Sequence, residues 1–150
     1  YALGVAARTL AFFNDNFGVR YPLPKLDNIL VPRNFSGAME NWGGVIYSER
    51  ALLFDETIGS EDDRKVVHEY VVHETAHQWF GNLVTMAWWD DLWLNEGFAS
   101  WMEKKLTDEF NPSMKIWVRG RADKEKAMAK DALRTAHPVQ QPIADESHDV

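Results

Sequence analysis

The sequence predicts an α+β fold with a mainly helical body and a small β-sheet. Apolar residues recur three and four positions apart over residues 2–17, which is the periodicity of an amphipathic helix, and the second half carries helix start and stop signals. Between these stretches, short runs rich in branched residues and glycine are typical of strands joined by tight turns. The length of 150 residues is that of one domain, so residues 1–150 are predicted to form a single domain.

The N-terminal third predicts one helix followed by short strands. The helical pattern covers residues 2–17, and Gly18 is a suitable C-terminal stop. A strand is then predicted at residues 26–31. Residues 35–47 predict strand, turn and strand, with the stronger strand at 45–47. This part of the chain therefore supplies the strands of the predicted sheet.

Three further helices are predicted, at residues 60–80, 90–110 and 112–134. The first opens at Ser60 with a capping-box pattern that ends at Asp63, and Gly81 marks its expected stop. The third is rich in alanine, lysine and glutamate, which are good helix formers. The tail from His137 contains two prolines and is predicted to be a loop. Five tryptophans are expected mainly to pack in the core, at positions 79, 88, 89, 93 and 101.

Composition and charge exclude several classes of protein. The formal net charge is −7, which argues against a nucleic-acid partner because such partners need clustered Lys and Arg. There is no cysteine, so neither a disulfide framework nor a thiolate metal site is possible, and a reducing compartment such as the cytoplasm is favoured. No apolar run has the length of a membrane span. The chain begins without Met and ends without an evident stop signal, so we expect it to be a piece of a longer protein.

The strongest chemical signal is the run His73-Glu74-Thr75-Ala76-His77. Residues four apart on a helix share one face, so the imidazoles of His73 and His77 can reach the same metal ion. Glu74 lies beside that face, where its carboxylate can contact a metal-bound water. A helix that carries two histidines by chance is the alternative. The predicted capped helix favours the metal site, because H-E-x-x-H requires a helix.

A catalytic zinc site needs a third protein ligand and one open position. Glu96 is the best candidate, because it lies among aromatic and leucine residues where an unpaired charge is costly. A salt-bridged helix glutamate is the alternative interpretation. The competing residues are the other histidines, His68, His137 and His148, and two glutamates in a more polar, solvent-like context, Glu103 and Glu109.

With these residues in place, the sequence resembles the gluzincin zinc aminopeptidases, the group of aminopeptidase N and the puromycin-sensitive aminopeptidase. His73-Glu74-x-x-His77 is followed by 18 intervening residues and then Glu96. The sequence segments around these residues, 77–84 and 92–99, match the same family as well. Residues 37–41, Gly-Ala-Met-Glu-Asn, look like the exopeptidase signature of the same family. The resemblance covers the chain from Ala2 to about Pro138.

The resemblance implies a thermolysin-like catalytic domain, of which this chain is a part, without the family's flanking domains. It implies that His73, His77 and Glu96 bind one Zn²⁺ and that Glu74 is the general base. It further implies that a zinc-activated water hydrolyses the N-terminal bond of peptides with a free N-terminus. The implied substrate-binding residues are Gly37, Ala38, Met39, Glu40 and Asn41, with Glu40 holding the α-amine. Partners that would orient the histidine ligands are left open among Asp90, Asp91 and Asn95.

Two departures accompany the resemblance. Thr75 and Gly44 stand where many members have larger residues. The family also uses a downstream tyrosine to stabilise the oxyanion, and by its spacing this residue would fall just past Val150. We therefore expect residues 1–150 alone to bind zinc but to be weak or inactive as a peptidase.

Three rival functions remain at this stage: a thermolysin-type endopeptidase, an epoxide hydrolase on the same scaffold, and a non-catalytic zinc module. An endopeptidase has no need for Glu40 in its Gly-Ala-Met-Glu-Asn segment. Nothing in the sequence favours a lipid substrate. A purely structural site closes all four metal positions with protein ligands, so it has no use for Glu74. The oligomeric state and the preferred N-terminal residue are not determined by the sequence.

Overall fold

A computed structural model describes residues 1–32 and 35–142 of the chain. It contains five helices, α1 to α5, and three strands, β1 to β3, within these residues. In chain order they are α1 Ala2–Asn16, β1 Asp27–Leu30, β2 Ala38–Met39, β3 Gly44–Tyr47, α2 Glu49–Leu52, α3 Glu61–His77, α4 Trp93–Phe110 and α5 Ile116–Asp131. The α+β class predicted from the sequence is therefore confirmed.

The three strands form one small sheet in the order β1-β3-β2. β1 runs parallel to β3 with Asp27 opposite Gly44, and β2 runs antiparallel to β3 with Met39 opposite Ile46. β2 is therefore an edge strand, and its outer side is not paired with another strand of the described chain. The turn between β2 and β3 closes through a hydrogen bond from Gly44 N to Asn41 O.

Helix α3 lies at the centre of the fold and packs against α1, α2 and α4. Its start follows the predicted capping box, since the Ser60 hydroxyl accepts from Asp63 N and the Asp63 carboxylate accepts from Ser60 N. Three of its valines, Val67, Val71 and Val72, are fully buried. A helix enclosed in this way positions its functional side chains rigidly, because close-packed neighbours on several sides leave little room for movement.

The element boundaries differ from the prediction in several places. The predicted helix at 90–110 is a 3-10 turn over Trp89–Asp91 followed by α4. The predicted helix at 112–134 is likewise a 3-10 turn over Pro112–Met114 followed by α5, because Lys115 adopts a left-handed conformation at φ 50°. Helix α3 ends at His77, four residues before Gly81, and the short helix α2 was not predicted.

Most of the tryptophans expected in the core lie at the surface. Trp79 is buried and stacks edge-on against Phe13. Trp88, Trp93 and Trp101 are about half exposed, so the packing prediction is wrong for them. No helix among the described residues combines the length and the apolar character needed to cross a membrane.

Candidate active site

One cavity of about 460 Å³ brings most of the predicted site residues together. Its walls come from β2, α3 and α4. They are Gly37, Ala38, Met39, Glu40, Glu69, Tyr70, His73, Glu74, His77, Glu96 and Glu103. Asn41 is the predicted site residue that does not line it, since Asn41 is exposed in the turn after β2.

The two histidines of α3 converge on one point. The Nε2 atoms of His73 and His77 lie 3.0 Å apart, and their Nδ1 atoms face away from each other towards hydrogen-bond acceptors. Because each Nδ1–H donates to an acceptor, the neutral ring presents the lone pair of Nε2 to the cavity. Two imidazole lone pairs directed at one point are the arrangement that a metal ligand pair requires.

Glu96 completes the set from the first turn of α4. Its Oε2 lies 3.3 Å from His73 Nε2, and its Oε1 lies 3.6 Å from His77 Nε2. Donor atoms bound tetrahedrally to zinc at about 2.0–2.1 Å are roughly 3.3 Å from one another. The three side chains therefore match the spacing of a two-histidine, one-carboxylate zinc site, and each offers a ligand atom within 4.8 Å of the others.

The electrostatics of these residues favour a positive charge at the point of convergence. Burial lowers the pKa of His73, but hydrogen bonds with Glu103 and Glu96 outweigh it and raise the pKa to about 10. Hydrogen bonds with the two histidines hold the pKa of Glu96 well below its usual range. A proton bound here and a divalent cation compete for the same lone pairs.

Glu103 orients His73 through Nδ1, the ring nitrogen that faces away from the point of convergence. Its Oε2 accepts from His73 Nδ1 at 3.1 Å, and its side chain is only 16% exposed. The expectation that Glu103 lies in a solvent-like context is therefore wrong. It contacts Nδ1 rather than Nε2, so Glu103 orients the imidazole ring and does not offer an oxygen at the point where the two Nε2 atoms converge. The signal for this role was its spacing, because Glu96 and Glu103 are seven residues apart and share one helical face.

Asn95 holds His77 in the same way. Its Oδ1 accepts from His77 Nδ1 at 2.8 Å, and the carbonyl oxygen of Phe80 accepts from the same nitrogen at 3.0 Å. Of the three candidates left open by the sequence, the structure thus brings Asn95 to a histidine. Asp91 instead accepts from the indole of Trp93. The carbonyl oxygen of Asp90 accepts from Gln141 N.

Gly81 makes room for Asn95. Its φ is +125°, and a Cβ at this position would lie 2.0 Å from Asn95 Oδ1 and 3.3 Å from His77 Nδ1. Only glycine combines this backbone conformation with such a close approach. The residue expected as a helix stop therefore lies against the side chains that orient His77.

Glu74 is buried in the wall of the cavity, with 4% of its surface exposed. Its Oε2 has no hydrogen-bond partner within the described residues. Burial is the main cause that raises the pKa of Glu74 to about 7, while the histidines oppose the rise and Glu40 adds to it. A carboxyl group that titrates near neutral pH can both accept and release a proton.

The segment that carries Glu40 is tied to the end of α3. The carbonyl oxygen of Glu40 accepts from Gln78 Nε2 at 3.0 Å and from Asn82 Nδ2 at 2.7 Å. Gln78, which is fully buried, also accepts from Gly43 N at 3.1 Å. These contacts were not predicted. Their sequence signal is weak, since glutamine and asparagine just after a metal motif have many other uses.

A second cavity of about 590 Å³ adjoins the first and is more apolar. Both cavities share Met39, Glu40 and Glu96. The remaining wall is formed mainly by the loop before α4, including Met86, Trp88, Trp89 and Leu92. His148, one of the weaker ligand candidates from the sequence, lies outside the described residues.

The chain is similar to one peptidase family and to several proteins named aminopeptidases. The model of the Peptidase family M1 domain matches residues 1–150. Aminopeptidase 2, mitochondrial, from Saccharomyces cerevisiae is 48% identical over an alignment of 153 positions, which covers 100% of this chain and 16% of that protein. Aminopeptidase M1 from Arabidopsis thaliana is 48% identical over 93% of this chain and 16% of its own length. Endoplasmic reticulum aminopeptidase 1 from Homo sapiens is 48% identical over 95% of this chain and 15% of its own length. The chain thus spans about one sixth of the length of these relatives.

Proposed function

The chain belongs to peptidase family M1, and from that premise we propose that the protein is a zinc-dependent aminopeptidase that removes N-terminal residues from peptides. The observation that carries the proposal is the convergence of His73, His77 and Glu96 on one point, in a cavity that also contains Glu74 and Glu40. The relatives' names support the activity, since each is called an aminopeptidase.

We propose His73, His77 and Glu96 as the ligands of a single Zn²⁺. Their donor set of two imidazoles and one carboxylate suits zinc, and their spacing leaves one side of the point of convergence facing the cavity. When bound, zinc supplies a Lewis acid and lowers the pKa of water to about 7. Glu103 and Asn95 orient the two imidazoles, which fixes the direction of both lone pairs.

Glu74 is proposed as the general base. Its carboxylate lies in the cavity wall beside the metal ligands, and its free Oε2 can accept a proton from the attacking water. The raised pKa of Glu74, about 7, then allows the same group to pass the proton to the leaving amine. Burial keeps this carboxyl away from competing solvent, because Glu74 is 4% exposed.

Glu40 is proposed to select a free N-terminus. A charge-assisted hydrogen bond between its carboxylate and the α-ammonium group contributes about 1.5–3 kcal/mol. The neighbouring residues Gly37, Ala38 and Met39 lie along the unpaired edge of β2, where a peptide backbone can add as a further strand. Asn41 holds the turn that follows, rather than lining the cavity.

The adjoining apolar cavity is proposed to receive the side chain of the residue that is removed. It begins at Met39 and Glu40, where the α-amine is held, and extends towards Trp88 and Leu92. Its apolar wall favours large apolar side chains over charged ones. Methionines at positions 39 and 86 allow the wall to adapt to different shapes.

The finer description of the fold is part of the same proposal. A thermolysin-like catalytic domain, of which residues 1–150 are one part, accounts for the helical body and for the small sheet beside α3. The chain's match to about one sixth of its relatives supports further domains outside it. The relatives' names place one in mitochondria and another in the endoplasmic reticulum, so the cytoplasmic location stays a prediction.

The test compares peptides of one sequence with free and with acetylated N-termini, using the purified full-length protein that contains residues 1–150. We expect cleavage of the free peptide only, one residue at a time, and loss of activity when zinc is removed by a chelator. Glu40→Gln should lower kcat/KM for the free peptide by about 10- to 100-fold, while Glu109→Gln on an exposed part of α4 should not change it. Equal cleavage of the acetylated peptide would instead establish an endopeptidase.

A further inference from the structure

A cavity that the proposed reaction does not use adjoins the active-site cavity. It measures about 560 Å³ and lies between α2, α3 and the segment before β2, and we call it the α2 cavity. Gly37 and Tyr70 line both cavities, so a bound molecule can extend from one into the other. Part of the wall of the α2 cavity is apolar, and its apolar residues include Val31, Phe35 and Val66.

The two cavities differ in charge. The active-site cavity has five glutamates, at positions 40, 69, 74, 96 and 103, and neither lysine nor arginine is among its described lining residues. The α2 cavity has one arginine, Arg50, and one carboxylate, Glu49. A peptide is cationic at its N-terminus and anionic at its C-terminus. Because charges are drawn towards the opposite sign, a peptide with its N-terminus in the active-site cavity has its C-terminal carboxylate favoured in the α2 cavity.

The guanidinium group of Arg50 is available for a ligand. Its side chain is exposed and forms neither an ion pair nor a hydrogen bond with another described residue. Hydrogen bonds from Ser60 lower the pKa of Asp63, and the charge of Arg50 adds to this effect, but the Asp63 carboxylate is already held by Ser60. Glu49 is adjacent to Arg50 in the helix, and adjacent helical residues do not face each other. The guanidinium can therefore bind a carboxylate through two parallel hydrogen bonds.

The separation of the two cavities sets the length of the peptide that reaches both. Glu40, proposed to hold the α-amine, and Ser36 in the wall of the α2 cavity are four positions apart. Four positions of extended chain span at most about 13 Å, at roughly 3.3 Å per residue. A peptide that runs antiparallel along the free edge of β2 from Glu40 therefore reaches the α2 cavity with its third or fourth residue.

We propose that the α2 cavity binds the C-terminal carboxylate of short peptides through Arg50, so that the protein prefers peptides of about three or four residues with a free C-terminus. This inference rests on the proposed function for the position of the peptide's N-terminus. The apolar wall at Phe35 and Val66 receives the last side chain. Longer peptides continue past the cavity, so their C-terminal carboxylate gains nothing from Arg50.

The test uses the purified full-length protein that contains residues 1–150 and a tripeptide with a free N-terminus, prepared with a C-terminal carboxylate or with a C-terminal amide. We expect kcat/KM to be about two- to fivefold higher for the carboxylate, the range for an exposed ion pair, with the difference in KM. Arg50→Gln should remove this preference and leave kcat/KM for the amide unchanged, which also shows that the variant is folded. Glu49→Gln should increase the preference, because it removes the opposing charge. Arg121→Gln removes the same charge from an exposed position of α5 and should keep the preference.

The outcomes separate this inference from the proposed function. Equal kcat/KM for the two tripeptides, a preference that survives Arg50→Gln, or an equal preference in a peptide several residues longer would overturn the inference and leave the aminopeptidase activity standing. If Arg50→Gln does not fold, an unchanged preference in Glu49→Gln overturns it instead. If neither tripeptide is cleaved, the proposed function fails, and calorimetric binding of both decides the inference. Tighter binding of the carboxylate that Arg50→Gln abolishes supports the site, and equal binding overturns it.

Discussion

Replacing Glu103 tests whether the proposed metal ligands depend on the side chains that hydrogen-bond to them. In the structure, Glu103 Oε2 accepts the hydrogen bond of His73 Nδ1 at 3.1 Å. Both side chains are largely buried, with exposures of 16% and 17%. Glu103→Ala leaves the His73 ring without this acceptor, so the direction of its Nε2 lone pair is no longer fixed.

The size of the effect follows from this burial. A hydrogen bond to a charged group contributes about 1.5–3 kcal/mol, and little is lost to solvent screening because both partners are shielded from water. Loss of a hydrogen-bond acceptor that orients a histidine ligand typically lowers metal affinity by about 10- to 100-fold, which is about 1.4–2.8 kcal/mol. The two estimates agree, so we expect zinc affinity to fall by this factor. Glu103→Gln should lose less, because an amide oxygen can still accept the bond.

The assay is competition for Zn²⁺ between the protein and a chelator of known affinity. The matched control is Glu109→Ala, which removes the same charge from an exposed position on the same helix. Circular dichroism shows whether each variant keeps its helices. Equal zinc affinities for the Glu103→Ala and Glu109→Ala proteins would refute the reasoning, because they would show that the buried hydrogen bond does not support His73.

Three further changes address other parts of the structure. Gly81→Ala should lower both the melting temperature and zinc affinity, since its Cβ would lie 2.0 Å from Asn95 Oδ1. Gln78→Ala removes the donor to the Glu40 carbonyl, so kcat/KM should fall about tenfold or more while the zinc content stays unchanged. The buried ring of His68 has a pKa lowered to about 4, first by desolvation and then by nearby arginines. Between pH 6.5 and 4 the unfolded chain binds more protons at this histidine, so stability falls by about 3 kcal/mol as the pH drops through that range.

Each of these changes has its own comparison. Gly4 lies in α1 with no atom within 4 Å of an added Cβ, so Gly4→Ala should be neutral or stabilising by up to about 1 kcal/mol. Unchanged kcat/KM in the Gln78→Ala protein would mean that other contacts hold the Glu40 segment. Urea unfolding at pH 7 and pH 4.5 measures the histidine effect. An equally large difference between these two pH values in His68→Gln would assign it to other groups.

Local patterns predicted the parts of the fold that depend on neighbours in sequence. The capping box at Ser60 and the helix that follows were predicted and confirmed, because a cap and a helical turn involve residues only three or four apart. The boundaries at residues 90 and 112 were missed. There, tight 3-10 turns precede each helix, and neither stop signals nor helix-forming composition distinguishes such a turn from the first turn of an α-helix.

The candidate site divides in the same way. The sequence by itself determined that His73 and His77 share one face, with Glu74 beside it, because 3.6 residues per turn dictate this whatever surrounds the helix. Only the packing of α3 against α4 and β2 decided that Glu96 reaches both imidazoles, that Glu103 rather than solvent lies behind His73, and that Gln78 ties down the Glu40 segment. These contacts join residues up to 38 positions apart, as between Gln78 and Glu40. Helical spacing carries no information over such a separation, so it was the three-dimensional arrangement of whole elements that brought these side chains together.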